Sequence, residues 1–444
     1  MMIRLRDLDD CFEGVIPSII ATAAADGTPN ISYLSHVVLV DDAHVAISNQ
    51  FFAKTAANVR ANPQASLLLV SARHGGQYKL DITWVTSRDE GLLFDRVSDQ
   101  LRASSAQVGL AGIMRLKAID IFRVNAIVGV ASPVETADTL DLSSTLDLAV
   151  LRRAMNAISA QNDTEHVLGA VLDGCDDVGF SQAIVLLGDN ARRLLTTVAS
   201  RGYDRSGIGS EIAFDDGLIG IAAGSKRPVK INDMSRVLRM GAAIEATSDS
   251  DENRTRTIVL PSMPDAMSQI AIPLLAQGTI RGVLFVESRD RLAFTTTHET
   301  ALEMIANQCA LALALCEALA PEAGPEAACA AHEQHGDRAI HVIHHQYDDS
   351  VFIDNAYVIK GVAGRLLAYM LDAYINEGRS DFTNREIRLA ETLRLPDIKD
   401  NLETRLLLLR RRLDEKNLPV RLIHTGRGQV RLAIDGIPAF SHTG

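Results

Sequence analysis

Residues 397–416 read DIKDNLETRLLLLRRRLDEK, and three residues later the chain continues as VRLIHTGRGQVRLAI over 420–434. In the first stretch Ile398, Leu402, Leu406, Leu409 and Leu413 recur at spacings of 4, 4, 3 and 4, one apolar stripe of an α-helix. The positions around that stripe carry Asn401, Thr404, Arg405, Arg411 and Arg412. The second stretch alternates around Gly426-Arg427-Gly428 and predicts a β-hairpin with a basic tip. Upstream, VFID and AYVIK (351–360) predict strands and GVAGRLLAYMLDAYINEG (361–378) a helix. Thr383-Asn384-Arg385-Glu386 is a capping box that starts a second helix, and Pro396 separates it from the third.

Strand, three helices and hairpin in this order predict a winged helix. A helix of that build fits the major groove of DNA, about 12 Å wide, and reads base edges there. A hairpin-tip arginine suits the neighbouring minor groove. Charge agrees in direction. Residues 338–436 hold 16 Lys/Arg against 14 Asp/Glu, while the whole chain carries −12. On Leu409-Arg410-Arg411-Arg412-Leu413 followed by His424-Thr425-Gly426-Arg427-Gly428, the segment 350–434 resembles the OmpR-type effector domain of bacterial response regulators. The resemblance implies DNA contacts at Thr404, Arg405, Leu408, Arg412 and Arg427. Two departures touch those contacts. The wing is one residue short and lacks the family's Gly-Tyr, and Leu408 stands at a position often basic or polar.

The rest of the chain changes character twice. Its 444 residues suggest two to four domains, and 47% apolar with 23% charged residues is ordinary for a folded chain. Up to about residue 135 short β-runs dominate: 15–23, 35–40, 44–49, 65–72, 78–87 and 118–131. Turns are expected at 25–30 and 41–44, and helices at 54–62 and 96–109. This order predicts a small antiparallel barrel with helices outside. Its most specific piece is Ser48-Asn49-Gln50-Phe51-Phe52-Ala53-Lys54-Thr55, continuing to Val59-Arg60-Ala61-Asn62-Pro63. On that piece, residues 10–131 resemble the pyridoxamine 5′-phosphate oxidase-like, FMN-binding split barrels. The resemblance implies a flavin phosphate held by Ser48, Asn49, Lys54 and Thr55, and an isoalloxazine lined by the backbone of Val37 and Val38. A phosphate needs such a cation and hydroxyls, and a helix start near Lys54 adds its dipole. The oxidase's basic residue before the Val-Val-Leu strand is replaced by Ser35 and His36, and its carboxy-terminal catalytic motifs are missing. A sensed flavin, a haem on His36 or His74, and an empty barrel used for dimerisation all remain open.

Residues 144–161 carry Leu148, Leu151, Met155 and Ile158 on a narrow stripe. They form either a helix of the next domain or a connector that pairs with its copy. Residues 163–320 alternate helices and strands. Gln277-Gly278 sits between two apolar runs as a hairpin turn, and Thr297 is placed to cap a helix over 297–320. Gly217-Leu218-Ile219-Gly220, Arg227 to Asp233, Ser268 to Leu274 and Gly282 to Val286 resemble a GAF domain. That resemblance implies a small-molecule site within 199–272, its ligand unnamed. Residues 245–257 read as a loose surface loop, and 321–337, rich in Pro, Gly, Ala and Glu, as a linker.

The expected organisation is therefore a split barrel (1–135), a connecting helix (136–162), an α/β GAF domain (163–320), a linker (321–338) and a winged helix (339–436). Five scattered cysteines argue against a disulfide framework and for a reducing cytoplasm. No run of 18 apolar residues is free of charge, so no membrane span is expected. Cys329, His332 and His335 have metal-ligand chemistry but lie in the linker without a framework, so no metal site is expected. Cys175 and Cys309 read as core packing. No phosphate-loop, dinucleotide, nucleophile-elbow or zinc-protease motif occurs. The combination predicts a cytoplasmic one-component transcriptional regulator, homodimeric, with DNA and a small molecule as partners. A flavin-dependent oxidoreductase and a scaffold with a protein-binding winged helix are the alternatives.

Overall fold

The computed structural model describes residues 3–34, 36–49, 53–107, 115–131, 146–235, 256–319, 338–390, 393, 402–426 and 428–443. These residues form three units. The first opens with a 3-10 helix, Leu5–Phe12, and continues β1 (Ser18–Ala23), β2 (Pro29–Leu34), β3 (Val37–Leu39), β4 (His44–Asn49), α1 (Ala53–Ala61), β5 (Gln64–Val70), β6 (Gln77–Arg88), α2 (Leu92–Gln107) and β7 (Ala118–Val130). All pairings are antiparallel, in the order β2-β1-β5-β6-β7-β4-β3. Alternation sends Val45, Ile47, Leu67, Leu69, Leu80, Ile82 and Phe122 into one core. The sheet curls as a split barrel does. Strand β2 was not expected, because Pro29 and Asn30 read as a turn. It is an edge strand, where a proline without N–H costs no ladder bond.

The second unit holds α3 (Leu148–Ser159), α4 (Thr164–Asp177), β8 (Gln182–Asp189), β9 (Leu194–Arg201), β10 (Glu211–Ala213), α5 (Gly217–Ser225), β11 (Val229–Ile231), β12 (Ser268–Ala276), β13 (Thr279–Ser288) and α6 (Thr296–Ala318). Its sheet runs β10-β9-β8-β13-β12-β11. The β12–β13 turn is the expected Gln277-Gly278, with φ of 51° and 72°, the left-handed pair of a tight hairpin. One sheet face packs Val185, Ile270, Ile272, Leu284 and Val286 against α3, α4 and α6. Leu151, Ala154 and Ile158 bury α3 in that layer, so it is a core helix of this unit. Helix α6 starts two residues earlier than Thr297 suggested. Thr295 Oγ1 accepts the His298 N–H at 3.3 Å, and Thr297 lies inside the first turn. Among the described helices α6 alone is long and apolar enough to cross a membrane, but Leu302, Ile305, Cys309 and Leu313 place it in the core.

The other sheet face, with Ile184, Leu186, Ala271, Val283 and Phe285, is covered by α5 and by Ala103 of α2 from the first unit. Gly220 is required there. A Cβ at that position would stand 2.3 Å from the Ala213 carbonyl oxygen.

The third unit is β14 (Ala339–His345), β15 (Ser350–Ile353), β16 (Ala356–Ile359), α7 (Gly361–Glu377), β17 (Asp381–Thr383), α8 (Asn384–Leu389), α9 (Leu402–Glu415), β18 (Val420–Gly426), β19 (Gln429–Ile434) and β20 (Ile437–Thr443). The capping box forms as expected, with Thr383 N donating to Glu386 Oε2 at 2.9 Å. Leu402, Leu406, Leu409 and Leu413 are buried as the stripe requires, whereas Ile398 and Asn401 lie outside the described residues. The unit does not stop at 436. Strand β20 pairs in parallel with the whole of β14, giving a sheet β16-β15-β14-β20 beside a second sheet β17-β19-β18.

Candidate functional site

Three places combine polar groups with burial. The first lies at the end of β4. Ser48 is 2% exposed, and its Oγ is buried with no hydrogen-bond partner. Across the ladder its N–H donates to the His36 carbonyl at 3.1 Å. The His36 Nδ1 is also buried and unpartnered, and burial pushes that imidazole down to about 4. Lys54 is exposed at the start of α1. The other expected phosphate ligands are engaged elsewhere. Asn49 Nδ2 donates to Asp120 Oδ2 at 3.0 Å, and Thr55 Oγ1 takes the Asn30 amide at 3.0 Å and meets Ser32 Oγ at 2.9 Å. Val37 faces the core, while Val38 lies on the opposite face of the edge strand β3. The unpartnered Ser48 hydroxyl leaves one buried donor free for a flavin phosphate. Asn49 and Thr55 are held by other side chains, and the Asp120 carboxylate beside Asn49 disfavours an anion there. His74 Nδ1 accepts the Gly76 N–H at 3.1 Å and so closes a turn.

The second place is the polar end of the α5-facing side of the middle sheet. Following Val283 and Phe285 on that face, Glu287 is 1% exposed. Its carboxylate accepts Gln269 Nε2 at 2.8 Å and Met263 N at 3.1 Å, and burial raises its pKa against those bonds. The Tyr203 hydroxyl is buried beside it without a hydrogen bond of ordinary geometry, and burial together with Glu287 pushes its pKa up. Tyr203, Met263 and Gln269 fall within the expected ligand region 199–272, whereas Glu287 lies outside it. The period-2 alternation of β13 was the signal that would have found it. The cysteines at 175 and 309 are buried in the core, as expected, and burial pushes the Cys175 thiol up to about 12.

Next to this face the first unit is bolted on. Lys230 Nζ pairs with Glu13 of the first unit at 2.9 Å and with Glu299 of α6 at 3.0 Å. Arg227 Nη2 meets Asp99 of α2 at 2.9 Å. The Arg227–Asp233 stretch, read from the sequence as a GAF signature, also joins the two units.

The third place is α9, where the outcome departs most from expectation. Its cationic face is not exposed but lies against the middle unit. Arg412 is 1% exposed, donating to the Val358 carbonyl at 3.0 Å and to Glu415 at 2.8 Å, so it braces its own unit. Thr404 and Leu408 are buried as well. Arg405 pairs with Asp189 at 3.5 Å, Arg410 pairs with Glu165, and Arg411 Nη1 donates to the Val198 carbonyl at 2.6 Å. Leu407 enters the core cluster of the middle unit, and Ile208 of the middle unit enters that of the third. The physical reason is the paired Leu407 and Leu408. They make apolar a face that a free DNA-reading helix would keep polar, and burial of that face against β9 and α4 removes it from water. Arg427 and Cys329, His332 and His335 lie outside the described residues. Among the described residues no group of three metal-ligand side chains converges.

Residues 7–138 match the pyridoxamine 5′-phosphate oxidase family, and residues 161–314 match the GAF domain. The first unit is therefore a pyridoxamine 5′-phosphate oxidase-like domain and the second a GAF domain. Solved structures resemble each part. The GAF domain of an Acinetobacter phosphoenolpyruvate-protein phosphotransferase is 19% identical, over 40% of this chain and 99% of that one, with TM-score 0.32. An FMN-binding protein from Syntrophomonas wolfei is 16% identical over 28% and 85%, with TM-score 0.25. HupZ of Group A Streptococcus is 22% identical over 31% and 99%, with TM-score 0.23. No curated protein matches the chain. The pairing of these two domains points to a sensory or regulatory role.

Proposed function

We propose that the chain is a ligand-responsive transcriptional regulator. In this reading the third unit is a winged helix of the OmpR type that binds DNA when α9 leaves the GAF domain. One observation supports it most directly. Arg405 and Arg410 on α9 are paired with Asp189 and Glu165 of the GAF domain, carboxylates that in this reading hold the place of backbone phosphates. DNA and the GAF domain then compete for one surface. A gel shift over the upstream region of its own gene tests this. The full chain should bind weakly, and Asp189→Lys with Glu165→Lys should bind at least tenfold more tightly. Arg405→Ala in that background should cost about 1–3 kcal/mol. No binding by the charge-reversed protein would refute the reading.

Leu407 and Leu408 favour a second reading, in which the third unit is a protein-binding module fixed to the GAF domain. It predicts no DNA binding in either form.

In the same proposal the barrel carries FMN as a sensed group, supported by the family match over 7–138 and by the unpartnered Ser48 hydroxyl. Purified protein should be yellow, and Ser48→Ala with Lys54→Ala should lose the colour. Turnover of a reductant in air would make it an oxidoreductase instead. The chain acts as a homodimer in this reading. Met304, Leu311, Leu315 and Leu319 are exposed along one side of the α6 region, an apolar row suited to a second copy. Leu311→Glu with Leu315→Glu should yield a monomer by light scattering.

A further inference from the structure

We propose that two loops of the GAF domain, 203–210 and 256–263, act as a coupled pair of straps through which the buried Glu287 fixes the third unit, so that loosening either end frees α9. This rests on the reading in which α9 leaves the GAF domain, and it names what governs that step. Both straps begin at one carboxylate. Met263 N donates to Glu287 Oε2 at 3.1 Å, and the Tyr203 hydroxyl is buried beside the same group. Both straps end on the third unit. In the first, Ser206 Oγ donates to Glu415 Oε1 of α9 at 2.6 Å, and Ile208 belongs to the third unit's core. In the second, Arg256 Nη1 pairs with Asp348 Oδ2 at 3.1 Å, and its guanidinium lies over the Phe352 ring, 5.5 Å from the centroid.

The straps lie directly against each other. Gly207 and Gly209 have φ of 58° and 89°. A Cβ on Gly207 would run into Pro261 of the other strap. One on Gly209 would stand 2.8 Å from Ile258 Cδ1 and 3.9 Å from Leu408 Cδ1 of α9. Ile258 and Met263 are buried, and in so close a packing a shift of one strap is felt by the other and by α9. The second strap also holds strain. Arg256 has φ of 53°, a left-handed conformation that costs a non-glycine residue energy and persists only while its contacts hold it. At the opposite end a buried carboxylate stays in place only while its donors satisfy it. For Glu287 these include Met263 N from the strap and Gln269 Nε2 from β12 at 2.8 Å. Withdrawing Met263 from Glu287 removes the strap's anchor, and Arg256 is then free to relax.

Hydrogen exchange of the full chain, read on the amides of α9, tests this. Glu287→Met keeps the side chain's length, takes away both acceptors and removes a buried charge. Arg256→Ala cuts the same strap at the third unit. Each should speed exchange of α9 about fivefold or more while α6 exchanges as in wild type. The double variant should exchange α9 no faster than the faster single one, because either cut already frees the strap. Effects that multiply in the double variant would mark two separate local losses and overturn the coupling. If Glu287→Met loosens α6 as well, Ser206→Ala, at the third-unit end of the other strap, takes its place in the same cycle. Release of α9 by Asp189→Lys with Glu165→Lys, with both strap variants as protected as wild type, would overturn the straps and leave the proposed function standing. A freed α9 in the strap variants without DNA binding would overturn the proposed function and leave the straps.

Discussion

Lys230 of the GAF domain lies 2.9 Å from Glu13, at the exit of the first unit's 3-10 helix. Glu299 of α6 completes the pair from the other side, and the Phe294 carbonyl accepts from the same ammonium at 3.2 Å. The site is largely buried. Burial pulls the lysine pKa down, but the two glutamates prevail and hold it above its ordinary value. Lys230→Met leaves both glutamates in a desolvated place without their cation. The expected loss is about 3 kcal/mol in chemical denaturation, because an uncompensated buried charge costs far more than the ion pair stabilises. The double change Lys230→Met with Glu13→Gln should recover part of it. Equal stability of wild type and Lys230→Met would contradict this account.

Leu407 projects from α9 into the core of the GAF domain. Leu407→Ala removes apolar volume from a site that belongs to two units at once, at a cost of about 2–4 kcal/mol. Its signature is a loss of cooperativity. Wild type should melt with the second and third units together, whereas Leu407→Ala should show the third unit separating first, with earlier proteolytic cleavage near α9.

His36 gives an acid dependence of definite sign. Its folded-state value near 4 lies below the unfolded value of about 6.5, so the unfolded chain binds more protons between these limits. This residue's contribution to stability is therefore complete above pH 6.5 and declines as pH falls toward 4. Unfolding curves at pH 7, 6, 5 and 4 should be flatter for His36→Gln than for wild type. A variant with the same slope would show that another group governs this window.

Thr383 and Glu386 cap α8 reciprocally, with Thr383 Oγ1 accepting the Glu386 N–H at 3.3 Å. Thr383→Ala should cost about 1 kcal/mol in urea unfolding. Adding Glu386→Ala should cost less than the sum of the two single changes, since the pair acts as a unit.

What was legible in the sequence was local. The Gln277-Gly278 turn needs two left-handed residues, the Thr383 box names its own partners, and the leucine spacing of α9 fixes its inner face. These follow from backbone chemistry within a few residues. Pairings between distant segments were not legible. Strand β2 hid behind Pro29 because an edge position is a property of the whole sheet. Strand β20 hid because its partner β14 lies about a hundred residues earlier. Of the barrel residues named from the sequence, Ser48 is the one left with an unpartnered buried hydroxyl. Asn49 binds Asp120 and Thr55 binds Asn30 and Ser32 instead, which only the folded contacts reveal. That the outer face of α9 packs against the GAF domain was not read from the sequence, although a sign of it was visible. Leu408 stands at a position often basic or polar, and an apolar side chain there signals a protein surface packed against it.

Ala103 serves both modules. It belongs by sequence to the pyridoxamine 5′-phosphate oxidase-like domain, yet it fills the wall of the GAF domain beside Leu218 and Ala222. The GAF domain cut free at its own boundary would carry an uncovered apolar window, and would tend to clump. A foreign domain put in place of the first module would have to supply a matching small residue at this wall.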